Sequence, residues 1–295
     1  MVSVSQKSLT IIFSTEFVIG ILGNGFIVLV NCIDWVKMRK ISLLDQILTA
    51  LVISRICLIL SIMLSCLSQQ YESFERLNRK YLLFIGTCWG VANHFSVWLA
   101  TILSLFYFLK VANFSNLVFL YLKQKIEKVV LVMFLGILVF LPFNVTMTNR
   151  YIYDYEFTRE NNVTWSDTRT SLRLTVFIFE YIIPFSASMT FFILLIFSLW
   201  KHLKNMKVSA ARSRDFSAKA HITAMKTVIS FLFLFAVYFL CFLPILFCFN
   251  ISDDCMFFFH VLEIAYPSVH SFVLIMGNSK LRKVFLLIWW QLKCT

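Results

Sequence analysis

Seven long apolar stretches partition this 295-residue chain, a pattern that restricts it to helices packed in a lipid bilayer. A hydrocarbon core of about 30 Å takes about 20 helical residues to cross, and only a backbone that bonds to itself survives there. The stretches run over about residues 9–33, 43–68, 81–110, 128–148, 172–200, 224–250 and 257–277. With 60% hydrophobic residues and a mean hydropathy of +0.82, too little polar chain is left to coat a water-soluble core. The expectation is an all-α membrane protein, a seven-transmembrane helix bundle forming a single domain over residues 1–295. The second and seventh stretches are the weakest, because one carries Arg55 and the other His260, Glu263 and His270.

The formal charge of +12 is distributed as a topological signal rather than a nucleic-acid footprint. With the N-terminus outside, eighteen of the 27 Lys and Arg residues fall in cytoplasmic segments, eight lie outside, and Arg55 sits within a span. That asymmetry satisfies the positive-inside rule and predicts an external N-terminus and an internal C-terminus. The first span reads as a signal anchor, since no short apolar region with a small-residue cleavage site precedes it. Asn162-Val163-Thr164 is a glycosylation sequon in the second outer loop; Asn113-Phe114-Ser115 lies on the inner side and Asn144-Val145-Thr146 too close to the membrane. Eight cysteines make no disulfide framework, and the second outer loop contains none. Cys294 is a candidate palmitoylation site, with an ordinary thiol the plainer reading.

Charged and polar groups inside spans are expensive, so each is a functional hypothesis. They fall in two layers. Asn24, Arg55 and His270-Ser271 lie near mid-bundle on spans one, two and seven, and read as a structural or switching network whose arginine must find acceptors. The outer layer holds Glu16, Trp89, Asn93, His94, Glu180, His260 and Glu263. Trp89, Asn93 and Val97 share one helical stripe, the aromatic-plus-amide surface that a pocket for apolar small molecules needs. Glu263 and Glu180 are candidates to pair with a basic amine. Trp89 is alternatively an interfacial belt residue, His94 points about 100° away from Asn93, and Glu16 is left unassigned. Pro142, Pro184, Pro244 and Pro267 lie inside spans and permit kinks. No phosphate-binding loop, HExxH, CxxC pair or GxSxG occurs, so neither an enzyme nor a metal or cofactor site is expected.

Four blocks carry a wider likeness: "GILGNGFIVLVNCIDWVKMRKISLLDQILTALVISRI" (20–56), "WLATILSLFYFLKVANFS" (98–115), "LLIFSLWKHLKNM" (194–206) and "HSFVLIMGNSKLRK" (270–283), with "AHITAMK" (220–226) beside them. In order and spacing they resemble the bitter taste receptors, the taste receptor type 2 family of G-protein-coupled receptors. The resemblance implies an external bitter small-molecule agonist, a gustducin-type heterotrimeric G protein and a plasma-membrane location. It maps the family's segment-one Asn, segment-two Arg and segment-seven His-Ser onto Asn24, Arg55 and His270-Ser271. Asn93 takes the place of the pocket Asn, and Trp89, His260 and Glu263 fall where such receptors place pocket residues; Glu180 joins them as a ligand-binding candidate on the strength of its charge within a span. Tyr107, Lys110, His202, Lys204, Lys219 and His221 are candidates for G-protein coupling. Membrane lipid is the plain alternative partner for the inner basic residues, and a homo- or hetero-oligomer stays open. "DFSAKAH" (215–221) has Phe216 and Ala218 where many members have Pro and Thr. Two rival readings are a related chemosensory receptor of the vomeronasal type 1 kind and a small transporter or channel running through Arg55, Glu180 and Glu263.

Overall fold

The computed structural model describes residues 4–38, 41–70, 79–161, 174–208, 229–240 and 253–294. Among them every regular element is helical and none is a strand: α1 (Val4–Met38), α2 (Leu43–Gln70), α3 (Arg79–Val111), α4 (Leu117–Gln124), α5 (Ile126–Asn161), a π turn (Ile178–Ile182) running into α6 (Ile183–Val208), α7 (Ile229–Leu240), α8 (Asp253–Gly277) and α9 (Ser279–Cys294). Six of these segments are long and apolar enough to cross a membrane, and Ile229–Leu240 is a shorter seventh. Six of the seven expected spans therefore appear as α1, α2, α3, α5, α6 and α8; of the sixth, expected over 224–250, residues 229–240 form α7 and the rest lies outside the described residues. The fourth overran its expected end, because α5 continues past Thr148 to Asn161.

The outward faces explain why lipid is the solvent. Leu22 and Val18 on α1, and Val132 and Val139 on α5, are all more than half exposed. Contiguous bands of such residues would aggregate in water but match hydrocarbon. Inside, α3 is the hub, packing against α2, α5 and α6, while α1 lies between α2 and α8. The close approach of α1 to α8 depends on glycine: a Cβ at Gly20 would collide with Ser268 Oγ, and one at Gly23 with Ser271 Oγ. Phenylalanine does the packing between α6 and α7, where Phe185 stacks on Phe239 at 4.2 Å and 7°, and Phe192 meets Phe231 at 4.6 Å.

The break before α6 has a local cause. Pro184 has no N–H to return to the carbonyl of residue 180, and the Ile183 N–H reaches back five residues to Ile178 O instead. Two short helices escaped the span pattern. In α4 the Asn116 side chain accepts from the Val118 N–H at 2.8 Å, and Lys123 Nζ donates to Ala112 O at 2.7 Å. In α9 the Asn278 side chain caps the Lys280 N–H at 3.0 Å, Leu281 is buried, and Trp289 and Trp290 are exposed.

Candidate functional site

The outer layer is built from α3, α6, α7 and α8. Asn93, 2% exposed, sits where three helices meet: its Nδ2 donates to Tyr181 OH on the π turn at 3.0 Å, and Tyr238 OH on α7 donates to its Oδ1 at 2.9 Å. One turn outward on the same stripe, Trp89 Nε1 donates to Glu263 Oε1 at 2.6 Å, and His260 Nδ1 lies 3.4 Å from Glu263 Oε2. Trp89, Asn93, His260 and Glu263 thus share one region of the bundle. The tryptophan's N–H is committed to a carboxylate, which holds its ring against α8.

Glu180 goes elsewhere. Its two oxygens face His94 Nδ1 at 2.9 and 3.0 Å, while His94 Nε2 meets Ile137 O on α5 at 3.1 Å. A carbonyl only accepts, so Nε2 carries hydrogen and a single further proton lies between Nδ1 and the carboxyl group. His94 and Glu180 therefore form an uncharged unit overall, tying α3, α5 and α6 together. Consecutive residues on each side make the two ties, Asn93 with Tyr181 and His94 with Glu180. Glu180 and Tyr181 both lie in the π turn, as Asn93 and His94 lie side by side on α3. The sequence placed His94 off the pocket stripe, but nothing in its spacing identified Glu180 as its partner.

The inner layer is centred on α8. Arg55, fully buried, donates from Nη2 to Tyr266 OH at 3.2 Å and lies over the Tyr266 ring, 5.1 Å from its centroid. Asn24, His270 and Ser271 do not accept from it. Asn24 Nδ2 instead donates to Gly20 O at 2.8 Å and to Pro267 O at 3.3 Å, and Ser271 Oγ donates to Ser268 O at 2.7 Å. His270 stacks on Tyr266 at 5.6 Å and 12°, and meets Phe231 edge-on at 4.3 Å. Tyr266 is the residue the sequence did not single out. It joins the layers, because Tyr238, the donor to Asn93, packs on it at 4.6 Å.

Below His270 a cavity of about 120 Å³ is lined by Leu103, Tyr107, Phe192, Leu195 and Phe231, reaching Val111 and Gly277 at the C-terminal ends of α3 and α8. Lys110 and Lys204 are exposed at this end, with Lys204 Nζ 5.7 Å from the Trp200 ring. Here too Lys280 Nζ bridges Asp34 at 2.7 Å, Asp45 at 3.3 Å and Asn31 Oδ1 at 3.1 Å, joining the start of α9 to α1 and α2. Partial burial works against its charge, but Asp34 and Asp45 outweigh that and hold the ammonium above the ordinary lysine range. Asn162, Lys219 and His221 lie outside the described residues, as does the side chain of His202.

Comparison with known proteins matches residues 1–293 to the family model described as taste receptor protein (TAS2R). The chain is 47% identical to taste receptor type 2 member 14 of Papio hamadryas, over 99% of this chain and 94% of that one. It is 43% identical to member 20 of Homo sapiens over 100% of this chain and 97% of that one. Member 13 of Mus musculus is 42% identical over 97% of this chain and 96% of the relative.

Proposed function

The chain belongs to the taste receptor type 2 family, whose members are receptors and not enzymes, and from that premise we propose that it binds bitter small molecules from outside and activates a gustducin-type heterotrimeric G protein. It does so as a single seven-helix domain of the plasma membrane, N-terminus out. The junction at Asn93 carries this reading. A ligand that bears on Trp89, Asn93 and Glu263 bears at once on α3, α6, α7 and α8. Through Tyr238 and Tyr266 the same contacts continue to Arg55 at mid-bundle. Differential affinity for two arrangements of this junction is what agonism requires, since equal binding to both shifts nothing.

The roles divide by chemistry. Trp89 and Asn93 supply the aromatic face and the amide, Glu263 with His260 supplies a carboxylate for cationic agonists, and Glu180, spent on His94, positions Tyr181. At the inner end Tyr107, Lys110 and Lys204, with His202, Lys219 and His221, form the rim offered to the G protein.

The test is a calcium assay in cells carrying a gustducin-containing chimeric G protein, against a panel of neutral and cationic bitter compounds. Asn93→Ala should weaken responses of both kinds at equal surface expression. Glu263→Gln keeps an acceptor for the Trp89 N–H but removes the charge, so cationic agonists should lose potency while neutral ones keep it. Responses unchanged in both variants would move the ligand away from this region. Agonist-independent ionic current in place of any G-protein signal would overturn the receptor assignment.

A further inference from the structure

The mid-bundle arginine is a full charge in an apolar interior with one neutral partner. Arg55 is 0% exposed, and apart from the bond from Nη2 to Tyr266 OH its Nε and Nη1, which carry three N–H bonds between them, have no acceptor. The carboxylates available within the spans are Glu16, Asp45, Glu180 and Glu263. Asp45 is engaged by Lys280, Glu180 by His94, and Glu263 by Trp89 and His260. Glu16 does not meet the arginine either, since Arg55 Nε and Nη1 have no partner and Nη2 bonds Tyr266. Among the described residues no protein anion neutralises Arg55, and a guanidinium does not shed its proton at any physiological pH.

We infer that Arg55 is the anchor of a buried anion site that takes a small monovalent inorganic anion of the chloride class, between α2 and α8 at mid-bundle. Water alone would accept from the free N–H bonds but leave the positive charge in a medium of low dielectric constant; an anion satisfies both demands. The surroundings fit a small, hydrated anion. His270, also 0% exposed and stacked on the same tyrosine, has both ring nitrogens without partners, and as neutral imidazole it contributes one further N–H. The Asn24 Oδ1, buried and unpartnered, accepts from a water in the anion's shell. His270, though not Arg55 itself, also lines the cavity of about 120 Å³ that reaches Val111 and Gly277, and the proposed route for water and ions passes along this histidine. This site is separate from the proposed agonist region, and its test needs no signalling.

The experiment is thermal unfolding of the purified full-length receptor in sodium chloride against sodium gluconate at constant ionic strength, gluconate being too bulky for a buried guanidinium. A ligand that binds only the folded state raises Tm with its concentration; chloride should give a saturable rise of about 3 °C or more. Arg55→Gln, which removes the charge and keeps donors, should abolish the dependence. Equal Tm values in the two salts would show that water alone serves Arg55 and would overturn the inference, as would a chloride dependence unchanged in Arg55→Gln. Should that variant fail to fold, crystals of the wild-type receptor grown in bromide decide the matter. An anomalous peak within hydrogen-bonding distance of the Arg55 guanidinium is expected, and its absence there overturns the site.

Discussion

At the scale of single residues, hydrogens have to be counted along with distances. His94 and Glu180 are both buried and share one proton, so the pair is neutral while each group stays fully bonded. Removing the two partners therefore has unequal effects. In Glu180→Gln the amide can donate to Nδ1 while Nε2 keeps Ile137 O, so the expected loss is about 1 kcal/mol. His94→Ala leaves a carboxyl group facing apolar helices and strips α5 of a tie, with an expected loss of about 3 kcal/mol. His94→Ala with Glu180→Ala should cost less than the two single alanine variants added together, because neither group is left stranded. Thermal denaturation of the wild type, the two single alanine variants and the double variant in detergent measures this; additive losses would mean that the two side chains are not coupled. Arg55 obeys the same logic with a larger stake, since even insertion scales put a central arginine at about 2.5–3.5 kcal/mol above water.

At the scale of elements, the end of the bundle where α9 begins depends on one lysine. Lys280 ties the first turn of α9 to Asp34 and Asn31 on α1 and to Asp45 on α2, and Asp45 is itself set by Ser42, whose Oγ accepts from its N–H at 3.1 Å. A folded-state pKa raised above the unfolded value means stability that is fully present below the unfolded value of about 10.4 and lost as pH rises through the folded one. The stability difference between wild type and Lys280→Ala should thus be flat from about pH 7 to 10 and shrink only above that, starting from about 1 kcal/mol for a partly exposed cluster. A difference that vanished near neutrality would place the tie elsewhere. The sequence made this region only partly legible. In the sequence Lys280 is one of eighteen basic residues of the expected cytoplasmic segments, and the acids that hold it lie in other helices, so no local spacing connects them. Likewise α5 overran its expected end at Thr148, since the change from apolar to polar residues from Asn149 onward does not by itself end a helix. The apolar period exposed the long helices because lipid imposes it on every turn. It had nothing to say about α4, whose start is an Asn116 side-chain cap.

For the whole molecule, the question is whether the outer and inner layers act as one device, and the candidate link is the run Asn93, Tyr238, Tyr266, Arg55 across α3, α7, α8 and α2. Asn93 and Arg55 were legible as costly polar groups within apolar stretches. Tyr181, Tyr238 and Tyr266 were not, because tyrosine in a hydrophobic span looks like packing until its hydroxyl is seen to have a partner. If agonist binding is transmitted through this run, Tyr238→Phe, which keeps the ring on Tyr266 and removes the hydroxyl that donates to Asn93 Oδ1, should weaken agonist potency. Loss of one buried neutral hydrogen bond, about 1 kcal/mol, corresponds to a shift of about fivefold in the concentration for half-maximal response. Because Asn93→Ala deletes the same bond from the other side, adding Tyr238→Phe to it should shift potency no further. Dose–response curves for the two single variants and the double variant at matched surface expression decide this. A double shift equal to the sum of the singles would mean that α7 senses the agonist independently of Asn93, and the two layers would then need another connection. A double shift no larger than that of Asn93→Ala alone would make the α3–α7 hydrogen bond the step at which ligand contact becomes helix movement.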